Sequence, residues 1–383
     1  MVSKFIFWFS IFFILYSYLG YPLILFILSK LFPRPCKKNN EFSHPYVSVI
    51  VASNNEEGKI GRRVKNLLAQ EYPPGRLEII VVSDGSTDAT ETIVKQLAME
   101  QTSGQASIFC YAYSPSKGKP TALNLGVQKA RGEIIIFADS RQQFEKNTIP
   151  ELVANFADPL IGGVSGELVF LEEGESRIKM QMGAYWKYEK LIRKLESKSG
   201  SVVGATGAIY AIRKHLYQPL PAETILDDVL TPLNIVFQGY RIVFDGQAVA
   251  YDFISQDVKQ EWHRKVRTLS GNWQLVSISP LFRNSLHNFF FWRIFSHKFA
   301  RLFVPFFLIA LLLSSLLADG VIYSLVACGQ IIFYLVSLLF LLVVPLRRNP
   351  ILKLCYFFCL LNIAAFFSFF VWCSGRCGSS WKR

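Results

Sequence analysis

The sequence predicts a doubly wound α/β domain set between apolar membrane spans. Three observations predict it. Short Val/Ile runs alternate with polar, helix-like stretches between about residues 46 and 247. Carboxylates stand at the ends of three of those runs. Apolar residues crowd both chain ends, so that 51% of the 383 residues are hydrophobic and Phe alone numbers 33.

The N-terminal apolar run, about Phe5–Phe32, exceeds the roughly 20 residues a spanning helix needs. No small-x-small cleavage site follows it, so it reads as a retained anchor, residues 1–32. Three further runs lie near the C-terminus: about Phe299–Ala318, Val321–Pro345 and Leu352–Cys373. Arg34, Lys37 and Lys38 follow the first run, and Arg347, Arg348 and Lys353 separate the last two. The "ADG" turn between the other two carries no Lys or Arg. Positive loops stay inside, so the central domain is expected in the cytoplasm with both termini outside. No intramembrane charge marks a polar route in this reading. Net charge is +13, much of it flanking spans, where it sets topology and meets lipid headgroups rather than nucleic acid. Seven cysteines show no metal-ligating spacing.

In the central domain, "YVSVIVAS" is the first strand and "EGKIGRRVKNLLAQ" the helix after it. "LEIIVVSDGSTD" is a strand breaking into a turn, and "ATETIVKQLAME" a helix. "ASIFCYAY", "KPTALNLGVQKA" and "EIIIFAD" continue the alternation. Unbroken apolar strands are covered on both faces, as in parallel sheets. Ligands bind at the C-terminal ends of such strands. Ser53, Asn54 and Glu56 follow the first strand, Asp84, Ser86 and Asp88 the second, and Asp139 the fourth. Asp88 or Thr87 suits a helix cap, whereas Asp84, at the strand tip, suits a ligand contact. Neither G-x-G-x-x-G nor G-x-x-x-x-G-K-[ST] is present, which disfavours dehydrogenases and P-loop enzymes. Lys119, opening a helix whose amides also favour anions, is the expected phosphate contact.

"VSVIVASNNEE", "IIVVSDGSTDAT", "SKGKPTALNLGVQKARGEIIIFAD" and "LDDVLTPLNIVFQGYRIVFD" together resemble an inverting family 2 glycosyltransferase, from about Val47 to Gly271. The flanking spans extend the resemblance to the membrane-bound branch, which includes cellulose, hyaluronan and poly-N-acetylglucosamine synthases and glycolipid-forming relatives. The resemblance implies a GT-A domain, a mostly parallel sheet with helices on both faces, with about one span before it and three after. It implies a donor nucleotide-diphospho-sugar, UDP by resemblance with GDP left open, and a glycan or lipid acceptor. Ser53, Glu56, Asp84, Lys119, Asp139 and Arg141 fall in the nucleotide-sugar site. Asp139 matches the first carboxylate of the D-x-D motif and is the expected ligand of Mg²⁺ or Mn²⁺. Asp228 matches the catalytic base, with Asp227 where Glu is usual, and "GAIYAIRK", Gly207 to Lys214, matches a segment lining the acceptor site.

Two positions depart from the family pattern. Arg141 stands at the second D-x-D position, where it either binds phosphate or turns away and leaves Asp139 to share a metal with the diphosphate. In "EWHRKVRTLSGNWQ" the Q-x-x-R-W pattern of processive members is broken: Arg264 takes the Gln position, Arg267 keeps the Arg and Thr268 replaces the Trp. Arg264 and Arg267, like Asp227, are expected to face acceptor or diphosphate. Trp262 and Trp273 are near but out of frame. The reading divides the chain into a cytoplasmic catalytic domain (46–271), an interfacial amphipathic segment (272–298), three spans (299–373) and a polar tail (374–383) in the cell membrane. A non-catalytic subunit of a glycan synthesis or export complex is the competing class, motivated by Arg141 and Thr268 and opposed by the retained Asp84, Asp139 and Asp228.

Overall fold

The computed structural model describes residues 1–39, 44–101, 106–171, 184–253, 258–278, 289–343 and 349–375. Two compact units divide it, one centred on Leu28–Gln256 and one built from Met1–Ile27, Asp257–Ser277 and Phe282–Cys377. The chain opens in helix α1 (Val2–Leu15), a π-helical turn (Tyr16–Gly20) and α2 (Tyr21–Leu31). Together these make a stretch, Val2–Leu31, long and apolar enough to cross a membrane.

The larger unit alternates strand and helix as its apolar runs require. β1 (Val47–Ser53), α3 (Glu57–Leu68), β2 (Leu77–Asp84), α4 (Thr90–Met99), β3 (Ser107–Tyr113), α5 (Lys119–Lys129) and β4 (Ile134–Ala138) come first. β5 (Gln143–Phe144), α6 (Thr148–Ala154), β6 (Ile161–Leu171), α7 (Ala184–Ser199), β7 (Ile209–Arg213), α8 (Asp227–Phe237) and β8 (Arg241–Phe253) follow. The eight strands form one sheet in the order β3-β2-β1-β4-β7-β6-β8-β5. β1 to β4 are mutually parallel, and β6 is parallel to β8. β7 runs antiparallel between β4 and β6, and β5 antiparallel on β8. The sheet is therefore mixed.

Alternation within each strand divides the core between two faces. Val47, Val49, Val51, Ile79, Val81, Ile134 and Ile136 pack in one buried cluster with Ile60, Val64 and Leu67 of α3 and Ile149 and Leu152 of α6. Ile50 and Val82 point the other way, toward α5. There the helix lies so close that a Cβ on Gly126 would fall 2.6 Å from Ile50 Cγ2. Strand order reverses at β1, whose neighbours are β2 and β4, and a crevice at the C-terminal ends of such strands is where an open α/β sheet takes its ligand.

The smaller unit contains α9 (Val258–Ile278), α10 (Phe289–Ile294), a π-helical turn (Phe295–Phe299), α11 (Ala300–Leu316), α12 (Val321–Leu342) and α13 (Pro350–Cys373). Three more stretches are long and apolar enough to span: Phe289–Leu316, Val321–Phe340 and Ile351–Cys373. The first begins ten residues before the expected position. It therefore takes in Arg293, His297 and Lys298 besides Arg301, which already lay inside the expected Phe299–Ala318 run. Arg293 and His297 are both buried, so neither presents its polar group on the outer face of this helix. The expected interfacial segment resolves into the end of α9 and the start of this helix, with residues 279–288 outside the described set, as is most of the polar tail. Trp273 of α9 is buried among Phe303, Phe369 and Trp372 and donates to Ser368 Oγ at 3.2 Å. Its indole holds these helices together and so is not open to stack on a sugar.

Candidate active site

The strand tips hold three groups of polar side chains. The first is built on Asp84, the last residue of β2, fully buried. Its Oδ1 accepts from the Lys117 N–H at 2.6 Å, and its Oδ2 from the Gly118 N–H at 2.8 Å and the Ser116 hydroxyl at 2.9 Å. Gly118, at φ +92°, makes the turn into α5. Asp84 thus fixes the loop that starts α5 rather than presenting an open carboxylate. Ser53, equally buried, donates to the Val82 carbonyl at 3.3 Å, behind the strand ends.

The loops after β1 and β2 clasp each other. The Glu57 N–H donates to Asp88 Oδ2 at 3.1 Å, and the Ala89 N–H returns to Glu57 Oε2 at 3.0 Å. Asp88 also accepts from the Thr90 N–H, as a capping residue does. Burial works against its charge, but the Thr90 and Glu57 hydrogen bonds hold its carboxyl below the usual range. Glu56 sits beside this clasp, 3.1 Å from Lys59 Nζ, and its N–H donates to Thr90 Oγ1. Asn55 closes the group by accepting from the Thr87 N–H at 2.8 Å.

The second group brings a lysine together with three carboxylates. Lys119, the first residue of α5, places Nζ 3.1 Å from Asp139 Oδ1 and 3.3 Å from Asp227 Oδ2. Desolvation weighs against its charge, yet Asp139, Asp227 and Asp228 hold it well above the ordinary lysine range. Asp139 is partly open, with its side chain 37% exposed, whereas Asp227 is buried. Asp227 and Asp228 occupy the first turn of α8, whose N-terminal end favours negative charge. A Cβ on Gly207 would fall 2.8 Å from Asp228 Oδ2, so the backbone at Gly207 lies directly against that carboxylate. The rest of the expected acceptor-lining segment is not open, because Ile209–Arg213 forms β7 and Tyr210 stacks on Phe137 at 4.6 Å. Burial, and after it the Asp227 carboxylate, raises the Tyr210 and Tyr217 hydroxyls and keeps both protonated.

The third group answers the sequence departure at Arg141. Its Nη2 lies 2.6 Å from Asp252 Oδ2, a buried carboxylate at the end of β8. Gln142 Nε2 donates to the same oxygen at 2.9 Å. Close by, Arg63 of α3 is buried, stacks on the Phe144 ring at 4.0 Å and donates to Asn66 Oδ1. Its Nε and Nη2 make no hydrogen bond among the described residues. Burial pushes the guanidinium down to about 9, and Asp139 is the carboxylate that draws it back up. Sequence reasoning missed both Asp252 and Arg63. The first lies 111 positions from Arg141 and is seen only through the β8–β5 register. The second lies within "EGKIGRRVKNLLAQ", where the sequence marks a helix but not which of its cations is buried.

The Lys119–Asp139–Asp227–Asp228 group joins four of the expected site residues. Glu56, Asp84 and Ser53 lie at the neighbouring strand ends, and Arg264 and Arg267 lie exposed on α9 in the other unit. Among the described residues, no three His, Cys, Asp or Glu side chains cluster to hold a metal. Hard divalent cations at phosphate sites often take only one or two carboxylates, the diphosphate supplying further oxygens. Asp139 is partly open although its Oδ1 pairs with Lys119, and Arg141, the nearest cation in sequence, is engaged by Asp252. The donor set therefore fits a metal shared between Asp139 and a bound diphosphate.

Residues 48–219 match the family model described as glycosyl transferase family 2. A beta-monoglucosyldiacylglycerol synthase from Nostoc sp. is 26% identical over 249 residues, covering 63% of this chain and 52% of that enzyme. A poly-beta-1,6-N-acetyl-D-glucosamine synthase from Staphylococcus aureus is 22% identical over 235 residues, covering 60% of this chain and 55% of that enzyme. The chain thus spans about half the length of these curated relatives. Among solved structures, the mannosyltransferase PcManGT from Pyrobaculum calidifontis, in complex with GDP-Man and Mn²⁺, superposes with a TM-score of 0.66 at 22% identity. It covers 93% of this chain and 96% of its own, and shares the GT-A fold.

Proposed function

From a chain that carries a glycosyl transferase family 2 domain, we propose a membrane enzyme that moves a hexose or N-acetylhexosamine, with inversion, from a nucleoside diphosphate to a lipid-linked or polysaccharide acceptor. The observation that carries this reading is the meeting of Lys119, Asp139 and Asp227 at the C-terminal ends of the sheet, with Asp228 next along α8. A cation with carboxylates on either side is what a diphosphate leaving group and an acceptor hydroxyl require.

An acceptor hydroxyl is a poor nucleophile at neutral pH. Asp228 takes its proton as the oxygen attacks the anomeric carbon from the face opposite the diphosphate. The bond from that carbon to the diphosphate breaks, and its electron pair leaves on the diphosphate oxygen. Lys119 exchanges part of its contact with Asp139 for the developing charge. Glu56 and the loop clasped by Asp88 flank the nucleoside. A Mg²⁺ or Mn²⁺ ion held by Asp139 would supply Lewis-acid stabilisation of the same diphosphate charge. The relatives' names, a glucosyldiacylglycerol synthase and a polysaccharide synthase, support acceptors of either kind. UDP follows from the resemblance, and the GDP-Man complex of the structural neighbour keeps GDP in the panel to be tested. The four apolar helices support a multi-pass protein of the cell membrane, and the basic loops support a cytoplasmic site.

The test is transfer of labelled sugar from UDP- and GDP-sugars into lipid and glycan fractions by detergent-solubilised full-length protein. Asp228→Asn is expected to lose transfer by about 10²–10⁴-fold while keeping nucleotide binding. Transfer undiminished in Asp228→Asn would overturn the reading in favour of a non-catalytic subunit.

A further inference from the structure

The second carboxylate of the family's metal motif is replaced by an arginine, and a guanidinium beside Asp139 would oppose a divalent cation. The structure shows where that positive charge goes. Asp252 is 3% exposed and stands at the end of β8. β5 pairs with β8 so that Gln143 faces Tyr251 and Phe144 faces Ala250, which brings Asp252 level with the 139–142 loop. Its Oδ2 receives Arg141 Nη2 at 2.6 Å and Gln142 Nε2 at 2.9 Å. Its Oδ1 accepts from the Phe253 N–H at 2.9 Å. A buried carboxylate with one charged partner and two further donors binds that partner firmly, because separation would leave a buried charge uncompensated. Arg141 itself is 39% exposed, so burial of its own side chain does not hold it there.

We propose that Asp252 is a positioning residue that holds Arg141 off Asp139 and so keeps Asp139 available to a divalent metal bound with the donor diphosphate. This rests on the glycosyltransferase reading and deepens it. The arginine is then neither a metal ligand nor a substitute for the metal. It is a cation kept to one side by a carboxylate supplied from the other half of the sheet. Asp252→Asn keeps the shape and the Gln142 contact but removes the counter-charge, and the freed guanidinium has Asp139, two residues away in sequence, as an alternative partner. Replacing Arg141 as well removes the competitor.

The experiment measures Mn²⁺ binding directly, by the electron paramagnetic resonance signal of free Mn²⁺. It uses full-length protein in detergent with saturating UDP, and again with GDP, for wild type, Asp252→Asn, Arg141→Gln and the double variant. Asp252→Asn is expected to weaken Mn²⁺ binding about tenfold, a coupling typical of contacting charges. The double variant is expected to bind as wild type does or more tightly. Equal loss in Asp252→Asn and the double variant would show that Asp252 acts only through the fold and would overturn the proposal, as would unchanged binding in Asp252→Asn. Wild type that binds no Mn²⁺ with either nucleotide would overturn the metal reading along with it, whereas failed transfer with intact Mn²⁺ coupling would fault the proposed reaction alone. Thermal unfolding of each variant identifies any that is misfolded, and Arg141→Gln/Asp252→Ala then repeats the rescue arm without a buried amide.

Discussion

Replacing Lys119 with Met removes the one ammonium shared by Asp139 and Asp227 while keeping the length of the side chain. At an effective dielectric of about 20, an ion contact of 3.1–3.3 Å is worth about 5 kcal/mol before desolvation. Water screens the Asp139 contact, because that side chain is more than a third exposed, so its net share is at most about 1 kcal/mol. Asp227 is different. It is buried, and among the described residues its Oδ2 makes no hydrogen bond beyond the ion contact with Lys119. Leaving a buried carboxylate uncompensated costs about 3–5 kcal/mol. Taking about 3 kcal/mol, the variant should melt roughly 6–12 °C below wild type. The pH dependence has a definite sign. Lys119 is held above its ordinary value in the folded state, so its contribution is complete below the unfolded lysine value of about 10.4 and is lost only as pH rises beyond it. The gap in melting temperature should therefore persist at pH 7 and at pH 9. The assay is thermal unfolding of the solubilised full-length proteins at both values, with nucleotide binding measured alongside. A variant that melts with wild type, or a gap that closes by pH 9, would refute the reasoning about the charge cluster.

Two other substitutions probe the geometry. Gly207→Ala would place a Cβ 2.8 Å from Asp228 Oδ2, and the displaced base should lower kcat on the order of 10²-fold at near-normal donor binding, read by steady-state kinetics. Asp84→Ala removes the acceptor of three hydrogen bonds from residues 116–118, and should cost about 3 kcal/mol of stability and loosen the start of α5, read by melting temperature and by hydrogen exchange of the Lys117 and Gly118 amides.

The strand and helix pattern was legible because it depends on local periodicity. Each apolar run from Val47 to Ala138 is a strand, and each polar run between them a helix. The four helices long and apolar enough to span a membrane were legible from length and hydropathy, apart from the early start of the Phe289–Leu316 helix. There Arg293 and His297 lower the local hydropathy although the protein buries them. The tip carboxylates could be found in the sequence, but their partners could not. Asp84 reads as a ligand contact because it ends a strand, and only the folded loop 32 to 34 residues onward shows its oxygens occupied. Arg141 posed a question that local sequence could not answer, since Asp252 reaches it across the β8–β5 pairing. Lys119 and Asp227 likewise meet only because α5 and α8 both begin at the same end of the sheet.

The proposed reaction is a single displacement at the anomeric carbon, with Asp228 as the base on the face opposite the leaving diphosphate. The most direct test is the anomeric configuration of the new linkage, read by proton NMR on product formed from an α-linked nucleotide sugar. The account predicts a β-linked product, made by wild type and absent with Asp228→Asn. An α-linked product would contradict it, because attack from the face opposite the leaving group must invert the anomeric centre.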